Sequence, residues 1–222
     1  MDIDHAIQTR KSIRAFRPDP VSKEILREII EVAVRCPSSG NSQPWEMVIA
    51  AGAVLKRIGD ENVRRFNAGV KGKFEVPWSE PQGAFRERHM ALGAELYRLM
   101  GISREDREKR LQWVQWGLRY FGAPAVIFLT VDNSIEKTFA GFNLGLLSQN
   151  ICLSALARGL GTCIELQGVA YPDVIREYTG IPDSKVIFIS IAIGYADWSH
   201  PANKIVTPRE PLESFATWRG FE

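Results

Sequence analysis

The chain has 222 residues, of which 45% are hydrophobic and 24% are charged, and its 28 Lys and Arg nearly balance its 26 Asp and Glu. These values predict one folded domain over residues 1–222 with its own core, and they leave little room for long disordered segments. The small net charge excludes sequence-independent binding to nucleic acid or to an anionic membrane surface, so a bound anion needs a local cluster of cations.

The three cysteines and three histidines are scattered along the chain. Their spacing indicates neither a disulfide framework nor a metal site, and a reducing compartment fits the free thiols. The N-terminal segment MDIDHAIQTRKS has no apolar signal region, and we expect no window to approach the roughly 20 apolar residues of a membrane span. The sequence therefore predicts a cytoplasmic protein with no metal, membrane or nucleic-acid partner.

The first strong helical pattern follows Ser22, a residue suited to capping a helix, and its apolar residues recur at helical spacing to residue 36. The segment 37–44 (PSSGNSQP) ends this helix because its prolines and glycine disfavour regular backbone. Residues 45–51 (WEMVIAA) then predict a short buried strand.

The middle of the chain begins with residues 67–86, which are rich in proline and glycine and lack periodicity. We expect irregular backbone there, followed by helices over residues 91–100 and 103–121. An irregular segment of this length usually has a function, so the sequence predicts a substrate lid at about 67–121.

The second half of the chain predicts a buried strand over residues 125–131 and a helix over 142–157. This helix is apolar nearly all round, as expected for a helix covered on every side. Gly159 is placed to end it, and strands are predicted over residues 162–166 and 186–193. Helices and strands in this irregular order favour an α+β domain.

The tail at about residues 200–222 contains Phe215, Trp218 and Phe221 but no periodic element that would bury them. Exposed aromatic residues of this size are costly in water. We therefore expect the tail to cross to a partner chain.

The segment RKSIRAF follows a short amphipathic helix and places Arg10, Lys11, Ser12 and Arg14 within five residues. Their mutual repulsion is relieved by a bound anion or by solvent, and arginine forks with a hydroxyl suit a phosphate well. Taken alone, these residues fit a solvated basic turn equally well.

Two further segments are ambiguous by themselves. The string PSSGNSQPW (37–45) offers polar side chains and backbone donors, but it also fits an ordinary loop between a helix and a strand. The string GLGTC (159–163) is typical of many helix-to-strand connections.

Together with IGYAD (193–197), these segments resemble the nitroreductase family over nearly the whole chain, from Ile3 to about Leu212. The resemblance implies an α+β fold with a mixed sheet flanked by helices. It also implies an intertwined homodimer that binds one FMN in each of two clefts between the chains.

The resemblance further implies which residues bind FMN. The phosphate, the ribityl chain and the ring edge would be held by the basic loop, namely Arg10, Lys11, Ser12 and Arg14. The second chain would contribute Pro37, Ser38, Ser39 and Asn41. The ring near its reactive nitrogen would lie along Glu165 and Leu166, and Arg209 would close on the phosphate.

In such an enzyme, NADH or NADPH reduces the flavin, which then reduces a small aromatic acceptor such as a nitroaromatic or a quinone. The chain has no GxGxxG motif, so we expect the nucleotide to bind transiently over the flavin and the kinetics to be ping-pong. We name no catalytic side chain because the cofactor carries the hydride. Five aromatic residues could line the acceptor pocket or pack in the core: Trp78, Phe85, Trp113, Trp116 and Tyr120.

Three other functions remain open at this point. The same scaffold would also suit a flavin-dependent reductive dehalogenase or a flavin-fragmenting enzyme. A protein that binds flavin without reducing anything is the non-enzymatic alternative.

Overall fold

The computed structural model describes residues 2–221. Helices and strands alternate irregularly in this part of the chain, which confirms the α+β class. The elements are α1 (Ile3–Thr9), α2 (Lys23–Ala33), β1 (Trp45–Ala51), α3 (Gly52–Asn67), α4 (Gly83–Leu99), α5 (Arg107–Leu118), β2 (Ala125–Asp132), α6 (Lys137–Ala157), β3 (Gly161–Glu165), α7 (Pro172–Thr179) and β4 (Lys185–Gly194).

The four strands form one sheet in the order β1-β2-β4-β3, and every neighbouring pair is antiparallel. This differs from the mixed sheet that the resemblance implied. The strands β2 and β3 run in the same direction, but β4 lies between them, so no two neighbours in the sheet are parallel. Within residues 2–221, parallel pairing is limited to an isolated bridge between Ser12 and Thr162.

Helices cover both faces of the sheet. Along β2, Ile127 and Leu129 pack toward α2 and α6, whereas Val126 and Phe128 pack toward α3 and α7. All four are fully buried. Burial of such a side chain contributes about 1.5–3 kcal/mol, so β2 is the centre of the core.

The helix α6 is long and apolar as expected, but it starts five residues earlier and is not covered on every side. Phe139 and Phe142 are 51% and 67% exposed. By length and composition α6 could span a membrane, contrary to our expectation that no segment approaches this. Half of its apolar window is already buried within the domain, as is typical of a core helix.

Several elements were not predicted. The helix α3 begins directly after β1, with Gly52 at a φ of +56° making the turn and no loop residues to signal it. The short helix α7 and the first turns of α4 were also missed. The irregular backbone expected at 67–86 is confined to residues 68–82, and a lid function for this region stays a prediction.

The five aromatic residues considered for an acceptor pocket separate into two groups. Trp113, Trp116 and Tyr120 pack in or against the core between the sheet, α3 and α7. Trp78 and Phe85 are 55% and 68% exposed. Tyr120 is fully buried and serves packing, whereas Trp113 and Trp116 are half-buried and also line a cleft of about 510 Å³. Contact of Trp78, Phe85, Trp113 or Trp116 with an acceptor stays a prediction.

Candidate functional site

The basic loop, residues 10–16, is attached to the edge of the sheet. The amide of Ile13 donates to the Thr162 carbonyl at 2.9 Å, and Ser12 forms the parallel bridge with the same residue. Ile13 is buried, whereas Ser12 and Arg14 are half-buried. Because side chains alternate along an extended segment, Ile13 anchors the loop and its two polar neighbours point away from that anchor.

The close approach of the basic loop to β3 depends on Gly161. A Cβ atom at this position would lie 2.5 Å from Cγ1 of Ile13. We expect Gly161→Ala to lower the free energy of unfolding by about 1–3 kcal/mol, the usual cost of overpacking, measured by urea unfolding. The control is Gly93→Ala in α4, where a Cβ meets nothing within 4 Å and should be neutral or stabilising. Equal stability of the two variants would contradict this account of the loop.

The other side of the loop is held by Asn203, which is fully buried. Its Oδ1 accepts from the Arg14 amide at 2.7 Å, and its Nδ2 donates to the carbonyls of Ala15 and Asp197 at 2.8 and 2.7 Å. Lys11 Nζ donates to the Ile205 carbonyl at 3.3 Å. Sequence analysis missed Asn203 because a single asparagine in an irregular segment has no distinguishing pattern.

The cations of the loop lack acidic partners. Arg10, Lys11 and Arg14 are half-buried, yet none forms an ion pair with a carboxylate within residues 2–221. Clustered cations that are partly removed from water are costly unless an anion binds them. This observation favours an anion site over a solvated basic turn.

Glu165, the last residue of β3, is the most unusual group near the loop. Its carboxyl is fully buried and neither oxygen has a hydrogen-bond partner within residues 2–221. Burial raises the pKa of this carboxyl well above its usual 4.5, although the Arg14 guanidinium opposes the shift. A buried polar group without a partner is rare in native proteins and often marks a functional site.

Two buried hydroxyl groups hold the backbone that follows Glu165. Ser190 Oγ donates to the Glu165 carbonyl and Tyr120 Oη donates to the Gly168 carbonyl, both at 2.9 Å. A Cβ at Gly168 would lie 2.3 Å from Ser190 Oγ, so only glycine fits there. Leu166, which begins this turn, is partly buried against the core. The turn is therefore rigid.

The second predicted segment, residues 37–44, lies elsewhere in the same chain. The Ser39 amide donates to Oδ1 of Asn143 in α6 at 3.2 Å, and Ser38 Oγ accepts from the Gln43 amide at 3.0 Å. Asn41 adopts a left-handed conformation with a φ of +55°, and its Oδ1 accepts from the Gln43 side chain at 3.2 Å. Pro37 is exposed at the start of the segment.

The two loops lie toward different halves of α6. Burial raises the pKa of the Cys152 thiol, and the Thr162 side chain and the charge of Arg10 oppose that shift, so Arg10 lies toward the half of α6 that carries Cys152. Asn143, the contact of the other loop, precedes Cys152 by nine residues, or about 14 Å of helix. The structure thus groups the basic loop with Glu165 and Leu166 but does not bring residues 37–41 to them within one chain.

Arg209 lies in the exposed tail beyond Ile205. Its guanidinium donates to Thr207 Oγ1 at 2.9 Å and to neighbouring carbonyls of the tail. Beside it, Glu210 pairs with Arg88 at 3.3 Å across a cleft of about 750 Å³ between the tail and α4. The four residues from Ile205 to Arg209 span at most about 14 Å, so a role of Arg209 at the basic loop stays a prediction.

The fold and the site define an α+β domain with a loop of half-buried cations and a buried carboxyl at one edge of its sheet. The chain belongs to the nitroreductase family, whose model matches residues 7–195. This confirms the resemblance seen in the sequence.

Two curated relatives cover nearly all of the chain. Nitroreductase NfnB of Mycolicibacterium smegmatis is 32% identical over 211 residues, covering 94% of this chain and 89% of that protein. Nitrobenzene nitroreductase of Ectopseudomonas oleovorans is 32% identical, covering 97% and 96%. The crystal structure of FMN-dependent NfnB from Mycobacterium smegmatis in complex with NADPH superposes with a TM-score of 0.90 at 30% identity, covering 97% of each chain.

Proposed function

We propose that this protein is an FMN-dependent oxidoreductase that passes two electrons from NADH or NADPH, through bound flavin, to nitroaromatic or quinone acceptors. The observation that carries the proposal is the set of unpaired, half-buried cations beside the orphaned carboxyl of Glu165. Family membership and the names of the relatives, a nitrobenzene reductase and an NADPH-bound flavoprotein, support the same reaction.

The residues present fit FMN. A phosphomonoester carries close to two negative charges at neutral pH, and we propose that Arg10, Lys11, Ser12 and Arg209 bind it. Arg14 would lie nearer the ring, where a cation stabilises the negative charge of the reduced flavin and so makes hydride acceptance more favourable. Glu165 and Leu166 would lie along the ring, so bound FMN would supply the partner that the buried carboxyl lacks.

We propose a homodimer with α6 at its centre. The side of α6 not covered by its own chain carries residues three and four apart that are exposed or half-buried: Phe139, Phe142, Leu146, Gln149, Leu153 and Leu156. This stripe has the spacing of a seam between two packed helices. A second copy of α6 is the surface that matches it.

A twofold axis through the middle of this stripe, near Gln149, would also complete the site. In a twofold interface the contacts are reciprocal. If one position in the first chain contacts another position in the partner, the same two positions also meet with the chains exchanged. Antiparallel packing of two α6 helices therefore sets the first half of one against the second half of the other. The loop of Ser38, Ser39 and Asn41 would then face the basic loop of the partner. Within a single chain these two loops lie apart.

The setting of the protein follows from its thiols. Cys36, Cys152 and Cys163 are free and buried. Buried unpaired thiols suit a reducing compartment, and we propose that the protein acts in the cytoplasm.

The proposed reaction is tested first by spectroscopy of the purified protein. We expect a yellow protein with non-covalent FMN whose visible absorbance is bleached by NADH or NADPH and restored by a nitroaromatic. A colourless protein that refuses added FMN contradicts the proposal, and bound FMN that no nucleotide reduces supports the non-enzymatic alternative. Release of halide or loss of flavin identifies the other two reactions considered for this fold.

The order of binding is tested by steady-state kinetics. We expect parallel double-reciprocal plots, because donor and acceptor share one face of the flavin and react in turn. Intersecting lines, together with a ternary complex trapped by an unreactive donor analogue, contradict the shared pocket.

A further inference from the structure

None of the groups around the buried carboxyl of Glu165 makes a hydrogen bond that would stabilise a negative charge on it. Three titratable groups face it, each from a different element: Arg14 from the basic loop, Cys163 from β3 and Tyr120 from the turn after α5. Neither carboxyl oxygen is hydrogen-bonded to any of them. Tyr120 has already used its hydroxyl proton on the Gly168 carbonyl.

A carboxylate in this position would lack both water and donors. Removing an ionised carboxylate from water without hydrogen bonds is among the most costly arrangements in a protein, and such groups take up a proton instead. A neutral carboxylic acid has one O–H donor, and within residues 2–221 that donor has no acceptor. A protonated Glu165 would therefore have an unused donor that a ligand beside it could accept.

We infer that Glu165 is a protonated acid in the folded protein at neutral pH and that it stores the proton consumed when the acceptor is reduced. This inference rests on the proposed function. Reduction of a nitro group to a nitroso group by NADPH takes up one hydride and one proton, and one oxygen leaves as water. NADPH supplies the hydride, so one proton must come from the protein or from solvent.

The surroundings of Glu165 also stabilise the side chain after it has given up its proton. The resulting carboxylate faces the Arg14 guanidinium, whose own side chain has no acidic partner within residues 2–221. An opposite charge nearby favours the ionised form, and Arg14 is held in place by the Asn203 bond to its amide. A proton from solvent has to return to Glu165 before the next turnover, which requires water to reach the site once the product has left. Arg14 is in this respect a positioning residue, and Glu165 is the group that carries the proton.

The protonation state is tested on the FMN-free protein. We expect an infrared carbonyl band of a neutral carboxylic acid at pH 7 that disappears in Glu165→Gln. The second measurement is the ratio of the unfolding equilibrium constant of the wild-type protein to that of Glu165→Gln. This ratio should rise about tenfold per pH unit above 4.5, until the pH reaches the pKa of Glu165 in the folded protein. The sign follows because the raised pKa makes the folded state retain a proton that the unfolded state has lost. No band, or a ratio independent of pH, overturns the inference.

The proton supply is tested on the holoenzyme by separating the two half-reactions in a stopped-flow instrument. Glu165→Gln keeps a hydrogen-bond donor but has no proton to give. We expect reoxidation by a nitroaromatic to slow by at least about 100-fold, the lower end of the usual range for a general acid. Flavin reduction by NADPH takes no proton from the protein and should slow far less. Glu165→Leu, which also lacks the donor, should in addition bind FMN more weakly.

The outcomes separate this inference from the proposed function. Unchanged reoxidation by Glu165→Gln overturns the proton store while leaving the reductase intact. A protein that binds no FMN overturns the proposed function, while the infrared band and the pH dependence still decide the state of Glu165.

Discussion

Phe142→Asp is expected to separate the homodimer and to release FMN. Phe142 is 67% exposed in the single chain, so the change removes no core contact and the melting curve of the monomer should be unaffected. In the dimer, both copies of the ring lose their burial, which costs about 3–6 kcal/mol, and each new carboxylate adds a desolvation cost. We expect the dissociation constant of the dimer to rise at least about 100-fold.

The measurement is sedimentation velocity and flavin fluorescence on the same dilution series. If each FMN is held by loops of both chains, flavin release should follow dissociation at the same protein concentration. The matched control is Phe85→Asp, which replaces a residue of the same type and exposure, 68%, on α4 outside the stripe. An unchanged dimer in Phe142→Asp, or a monomer that keeps its FMN, contradicts the twofold arrangement of α6.

The exposed stripe also shows what a single sequence can predict. The near-uniform hydrophobicity of α6 correctly indicated a long apolar helix, but the expected cover on every side is absent from the single chain, where Phe139 and Phe142 are exposed. Nothing in the sequence distinguishes cover by the same chain from cover by a second copy. The structure shows which residues the chain itself covers, because Leu147 and Ile151 are fully buried while Phe142 is exposed.

The site was predictable in its chemistry and not in its geometry. Arg10, Lys11, Ser12 and Arg14 stand out because like charges are crowded together. Their attachment to β3 depends on Gly161 and on the buried amide of Asn203, which lies 189 residues from Arg14 in the chain. Long-range contacts of this kind leave no local pattern.

Glu165 illustrates the same limit. The resemblance placed it along the flavin ring, but its unusual property comes from burial among groups on three separate elements, the basic loop, β3 and the turn after α5. A glutamate at the end of a strand has no sequence feature that reports the absence of a hydrogen-bond partner. Only the packed structure shows that the carboxyl is buried without a hydrogen-bond partner within residues 2–221.

A chain that ends at Glu210 is expected to lose both the dimer and FMN, although it keeps every residue of the basic loop and Arg209. The truncation removes Phe215, Trp218 and Phe221, which are 67%, 65% and 78% exposed in the single chain. Trp218 and Phe221 pack edge to face at 5.4 Å but are otherwise uncovered, as expected for a segment that completes its burial on a partner. Each ring buried there contributes a few kcal/mol at about 25 cal/mol per Å².

The comparison that isolates the tail is Arg209→Ala in the full-length chain. This variant loses one charge-assisted bond to the phosphate, so FMN affinity should fall by roughly 1.5–3 kcal/mol while the dimer stays intact. In the truncated chain, by contrast, the subunits dissociate first and FMN is released as a consequence. Sedimentation of both proteins with and without excess FMN distinguishes the two effects. A truncated protein that remains dimeric and yellow shows that the tail does not cross to the partner.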